Sequence, residues 1–221
     1  MRQAYFTLEN IREKASGMLE KVGDIRPRPE PLYLSRDSAL IVLDMQSHFL
    51  DSSSHAFIPS APAIIPGIQS LMDAFSGKGM TVVYTQHLNT PEDAGMMDEW
   101  WEDLIVESNP MSRITEQLTL TSGDFIRKCQ YDAFYETGLK DLLLSRGVAQ
   151  VVVCGVMTHL CCETTARSAF VNGFNVWFTV DGTATYNEEF HTATLLNISH
   201  GFAVSVLVEE VLGALQRING R

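Results

Sequence analysis

No run in this chain approaches the roughly 18–20 apolar residues that a membrane-spanning helix needs. Positive charge is scarce: 16 Lys and Arg stand against 27 Asp and Glu, a formal net charge of -11. That balance argues against nucleic acid or an anionic membrane surface as a partner. Cysteine is sparse as well. The four thiols, Cys129, Cys154, Cys161 and Cys162, form no pair of CxxC motifs of the kind that holds structural zinc. Adjacent Cys161 and Cys162 are poor disulfide partners, so all four read as free thiols in a reducing compartment. The opening residues MRQAYFTLENIREK lack the apolar core of a signal peptide, and the expected location is the cytoplasm. No internal repeat or low-complexity tract is present. What remains is a 221-residue chain, 45% hydrophobic, long enough for a substantial core and suited to a small-molecule substrate.

The pattern along the chain alternates between strand and helix. Residues 1–36 read as a lead-in. Leu8, Ile11, Ala15, Met18, Leu19 and Val22 recur at helical spacing, with Thr7 as a cap and Gly23-Asp24 as the stop. Pro27, Pro29 and Pro31 then stiffen the chain. Such a helix either packs on its own domain or reaches a neighbouring subunit, and its length favours the second. Residues 37–221 form the main domain. Ala39–Leu43, Thr81–Thr85, Asp124–Lys128, Val151–Val153, Asn175–Val180 and Ala203–Leu207 read as strands. Helical segments follow Pro62 as far as Gly77, and lie over Leu139–Leu144, beyond Thr158, over Asn187–Ser199 and over Glu209–Ile218. The alternation calls for an α/β fold: three layers, α/β/α, around a six-stranded, mainly parallel, Rossmann-like sheet.

Polar residues cluster where strands end. Asp44, Gln86, His87, Lys128, the 155–161 turn and Asp181 all follow apolar runs, and parallel strands would gather them at one sheet edge. Cys161 is expected on the first turn of a helix, where free N–H groups and the helix dipole favour a thiolate. Lys128 can steady that thiolate, and Asp44 can take the thiol proton and return it to a leaving group. Each residue alone has a plainer reading: a turn aspartate, a solvated strand end, a core thiol. The long 88–113 connection carries Trp100 and Trp101, which either cover a pocket or anchor the loop.

Three collinear segments carry a resemblance. Leu43-Asp44-Met45-Gln46 with Phe49 is one. Lys128 with Tyr131-Asp132-Ala133-Phe134 and Thr137-Gly138-Leu139 is the second. The third is Gly155-Val156-Met157-Thr158-His159-Leu160-Cys161 with Thr165-Ala166. Together they resemble the isochorismatase-like cysteine hydrolase superfamily over roughly residues 37–215. The resemblance implies Cys161 as nucleophile, Asp44 as general base and acid, and Lys128 as the stabilising cation. It also implies an oxyanion hole from the N–H groups of Met157 and Cys161, a cis peptide at Val156-Met157, and a homodimer or homotetramer. Gln46, Phe49, His87, Trp100, Trp101, Tyr131 and His159, with His48 and Gln86, are candidate substrate contacts. Thr85-Gln86-His87 does not meet the Asp-x-His metal motif of nicotinamidases, so no metal or other cofactor is expected. The expected reaction is cleavage of a C–N bond through a thioester. The alternatives are vinyl-ether hydrolysis with Asp44 as acid, and a non-catalytic binding protein on the same fold. Cys161→Ser, Asp44→Asn and Lys128→Ala are each expected to abolish turnover and leave the fold intact.

Overall fold

The computed structural model describes residues 2–25, 29 and 32–218. The expected stiff stretch at Pro27 and Pro31 lies outside them. Six strands form one sheet: β1 Ser38–Leu43, β2 Thr81–His87, β3 Asp124–Lys128, β4 Gln150–Val156, β5 Asn175–Ala184 and β6 Val204–Val206. Their spatial order is β3-β2-β1-β4-β5-β6, and every pairing is parallel. The central strands β1 and β4 are buried along their whole length, as a sheet covered on both faces requires. That is why ALIVL and VVV are continuous apolar runs. β3 alternates exposed Phe125 and Arg127 with more buried neighbours, and its weak strand signal in sequence follows from its place at the edge.

The helices are α1 Ile11–Gly23, α2 Ser47–Leu50, α3 Ala61–Gly77, α4 Met96–Trp100, α5 Leu139–Ser145, α6 Glu163–Val171, α7 Glu188–Gly201 and α8 Val208–Arg217. α3 packs with α8, and α6 with α7, giving helical layers about the sheet. α3 buries Ile64, Ile65, Ile68, Leu71, Met72 and Phe75. Asn187 caps α7, its side chain accepting from the Phe190 N–H.

Several boundaries differ from the sequence reading. α1 begins at Ile11 behind Asn10, four residues beyond Thr7, and Leu8 faces solvent. Ala15, Met18, Leu19 and Val22 are buried, and α1 packs on β5 and α7 of its own chain. These four residues of the stripe are therefore covered within the chain. β5 runs through Asp181-Gly182 to Ala184 because the register shifts between Val153 and Gly155 on β4.

Candidate active site

The strand order reverses between β1 and β4, and in open α/β sheets ligands bind beyond the carboxyl ends at that switch point. Asp44 is the first residue past β1, held at φ 49°, a left-handed conformation that Asp tolerates better than most residues. Gly155 pairs with Leu43 on β4. A Cβ built there would lie 2.1 Å from the Leu43 carbonyl oxygen, and φ is +115°. Only glycine lets the strands approach so closely where they deliver their site residues. Past β4 the Val156–Met157 peptide is cis. The chain then winds one π-helical turn, Thr158–Cys162, before α6. Cys161 thus sits in that turn and not on the first turn of α6.

The three expected chemical residues meet. Lys128 Nζ lies 2.7 Å from Asp44 Oδ2 and 3.3 Å from Cys161 Sγ. It also reaches the Gln130 carbonyl at 2.9 Å and His87 Nδ1 at 3.3 Å. Thr85 orients the acid: its hydroxyl donates to Asp44 Oδ1 at 2.6 Å and accepts from the Asp44 N–H at 3.1 Å. The lysine segment is stitched to the nucleophile helix. Thr165 Oγ1 accepts from the Ala133 N–H at 3.0 Å and donates to the Tyr131 carbonyl at 3.4 Å, and Ser168 donates to Asp132. The short motifs read from sequence therefore include the bonds that align one motif with another.

The electrostatics differ from the expected resting thiolate. Burial and the facing Asp44 carboxylate push the Cys161 thiol up to about 12, against the pull of Lys128. Burial would lower Lys128, but Asp44 and Cys161 raise it above its ordinary value. Both shifts favour a neutral thiol beside a charged lysine at rest. Burial and Lys128 together drop His87 to about 4, so its imidazole is neutral at physiological pH. Asn89 sets the tautomer. Its amide nitrogen donates to the Cys129 carbonyl at 2.9 Å, leaving Oδ1 to face His87 Nε2 at 2.8 Å. Nε2 therefore carries the proton, and Nδ1 accepts from Lys128.

A cavity of ≈ 280 Å³ opens onto Cys161. Phe49, His87, Trp101, Tyr131 and Met157 line it, as does His48. Trp101 donates its indole N–H to the Tyr131 hydroxyl at 2.8 Å, which fastens one side of the 88–113 connection over the site.

Other expected contacts lie elsewhere. Trp100 is 73% exposed and is not part of the cavity wall. Gln46 is scaffold: its amide spans the His87 backbone and the Ser112 carbonyl. Gln86 donates to the same Ser112 carbonyl. His159 bonds Thr185 Oγ1 at 2.6 Å and stacks on Phe190. Asp181 accepts from the Val208 N–H at 2.7 Å, capping α8 outside the crevice. Cys162 is wholly buried in the core. Thr85, Asn89, His55, Tyr186 and Arg2 went unread. Thr85 carried a signal, since it lies inside the strand tip next to Gln86. Arg2 and Tyr186 are far in sequence from every motif.

Two groups among the described residues could hold a cation: Asp44, His87 and Cys161, and His48, His55 and Asp103. The first already has its cation. The Lys128 ammonium faces all three donors at 2.7–3.3 Å, and a metal ion there would meet its positive charge directly.

The isochorismatase domain model matches residues 38–210. Nicotinamidase 3 of Arabidopsis thaliana is 41% identical over 177 residues, covering 78% of this chain and 85% of that protein. A cysteine hydrolase from Pseudomonas syringae pv. phaseolicola 1448A superposes with a TM-score of 0.81 at 24% identity, over 86% of this chain and 99% of that one. A pyrazinamidase of Pyrococcus horikoshii in complex with zinc gives 0.70 at 26% identity, over 77% and 99%.

Proposed function

This chain belongs to the isochorismatase family, and on that premise we propose that it is a cysteine amidohydrolase releasing ammonia or an amine from a small amide. The observation that carries the reading is the Lys128 ammonium seated between the Asp44 carboxylate and the Cys161 sulfur at the floor of a cavity. The relatives named nicotinamidase and pyrazinamidase make a ring-bearing carboxamide the first substrate to test. A cavity of ≈ 280 Å³ walled by Phe49, Trp101 and Tyr131 suits a single planar ring.

Asp44 takes the Cys161 proton as the sulfur attacks the carbonyl carbon, with Lys128 offsetting the charge on sulfur. The oxygen that becomes anionic is held by the N–H groups of Met157 and Cys161, donors of a kind worth about 3 kcal/mol each in the barrier. Asp44 gives its proton to the leaving nitrogen, the C–N bond breaks, and a thioester remains. Water passes a proton to Asp44 and attacks the thioester. The C–S bond breaks, the sulfur recovers its proton, and the acid departs. Lys128, raised above its ordinary range by Asp44 and Cys161, stays charged through the cycle.

The test is ammonia release from nicotinamide, pyrazinamide and a panel of carbamoyl and ureido compounds, with pyruvate release from isochorismate followed alongside. Cys161→Ser should lower ammonia release by about 10⁴–10⁶-fold, the scale on which removing one member of a nucleophile–base unit acts. Normal turnover in that variant, or pyruvate release that survives it, would sink the reading.

A further inference from the structure

The second donor group lies at the mouth of the same cavity and plays no part in the proposed steps. His48 comes from α2, His55 from the turn beyond it, and Asp103 from the long connection over the site. One donor atom from each lies within 4.8 Å of the others. His55 Nε2 is 3.1 Å from Asp103 Oδ1, and the His48 ring stands edge-on to His55 with centroids 5.3 Å apart. We propose that His48, His55 and Asp103 bind one divalent transition-metal ion, of the zinc, cobalt or nickel class, which clamps the connection onto α2.

Four observations favour an ion over a plain hydrogen bond. The donor set is two imidazoles and one carboxylate, the set that borderline divalent ions take with a further position left for water or ligand. All three residues line the cavity. Among the described residues no protein cation fills the site: Arg2 is the sole Lys or Arg of these in the cavity wall, and its guanidinium lies 4.5 Å over the Tyr186 ring. This is the reverse of the first donor group, which Lys128 occupies. Second, the three donors come from three separate segments, α2, the turn beyond it and the long connection, yet converge on one point. Third, Glu102 beside Asp103 adds negative charge to the same wall. Fourth, the clamp has a partner. Trp101 already ties the connection to Tyr131, and an ion at Asp103 would tie it to α2, closing the mouth from both sides. The ion takes no part in the proton transfers at Cys161.

The experiment is zinc titration of chelator-treated protein by calorimetry, repeated with cobalt(II) and followed by absorption. The variants are His55→Gln, Asp103→Asn, the double variant and Cys161→Ser. His48 is left unaltered because it is buried against Phe49, whereas His55 and Asp103 are 43% and 48% exposed and should tolerate change. Expected is one ion per chain, weakened at least about tenfold in each single variant, with melting raised by zinc in the parent and not in the double variant. Cys161→Ser should bind as the parent does. No binding, binding undiminished in the double variant, or binding lost in Cys161→Ser would each overturn the site. The readout is metal binding, so it stands or falls apart from amide hydrolysis.

Discussion

Lys128 has three N–H bonds and four acceptors: Asp44, Gln130, His87 and Cys161. That surplus makes the side chain structural as well as electrostatic. Removing it leaves the buried Asp44 carboxylate without its cation, and such an uncompensated charge costs about 3–5 kcal/mol. Lys128→Ala should therefore lose stability along with turnover, contrary to the expectation of an intact fold. Denaturant melts of Lys128→Ala and Cys161→Ser, compared directly, check this; equal midpoints would refute it. His87 gives a second test. Its protonated form is disfavoured down to about 4 by burial and Lys128. Nitrogen-15 spectra should show a neutral ring protonated on Nε2 from pH 5 to 9. Since its folded value lies below the unfolded one, the unfolded chain binds more protons between about 4 and 6.5, and stability from this group rises with pH across that window. A ring that titrates near 6.5 would contradict the Asn89–His87–Lys128 relay. At this scale Asp44, Lys128 and Cys161 were legible because each follows an apolar run that ends at one sheet edge. Gln46, Trp100 and His159 lie off the cavity wall for a different reason. Sequence gives proximity to a strand end, whereas the direction of a side chain depends on loops that have no periodicity.

The elements carry two consequences of their own. β5 was read as ending at Asp181-Gly182, since an acid and a glycine after NVWFTV look like a turn. The bulge opposite Val153–Gly155 instead carries the strand on to Ala184, and a bulge leaves no mark in hydrophobic alternation. Asp181 is thereby turned toward α8 and partly buried, which lifts its carboxyl to about 6. Its folded value is above the unfolded one, so the folded state binds more protons between about 4 and 6, and stability from this group falls as pH rises through that range. Asp181→Asn keeps an acceptor for the Val208 N–H and removes the buried charge. It should raise stability at pH 7 by about 1–3 kcal/mol, with the gain vanishing near pH 4; melts across that range measure it, and a loss at pH 7 would show that the charge itself serves α8. Gly155→Ala is the opposite case. The Cβ would strike the Leu43 carbonyl at 2.1 Å with φ at +115°, a backbone clash that no rotamer relieves. The expected cost exceeds about 4 kcal/mol, read as loss of soluble folded protein. The strand order itself was legible only as a class: alternation predicts parallel strands and crossovers, while the edge placement of β3 and β6 appears in sequence merely as weakness.

At the scale of the whole molecule, the question is to what body the first 24 residues belong. The family model begins at residue 38, so the lead-in reads from sequence as an appendage. In the structure residues 2–24 are packed into the fold. Tyr5 and Phe6 are buried with Met18, Leu19 and Val22. The Tyr5 hydroxyl accepts from the Thr185 N–H at 3.0 Å and meets His191 Nδ1 at 2.8 Å, and the Phe6 N–H donates to Ser60 at 3.0 Å. Arg12 and Lys14 pair with Glu209 and Glu188, but these exposed pairs contribute at most about 1 kcal/mol each, so the attachment rests on apolar burial. Thr185 and His191 border the face behind the nucleophile turn: Thr185 holds His159 of that turn, and α7 packs against it. Met18→Ala should accordingly cost about 2–5 kcal/mol, as for other buried methionines. Tyr5→Phe, which keeps the ring and strips the hydroxyl, should cost about 1–3 kcal/mol through the unpaired Thr185 N–H. Both are read from denaturant midpoints at constant subunit concentration. Deleting residues 2–24 separates the intrachain from the interchain role, because burial within the chain predicts a lower midpoint with unchanged assembly mass by light scattering. A truncated chain that keeps its midpoint and loses mass would assign the helix to a neighbouring subunit.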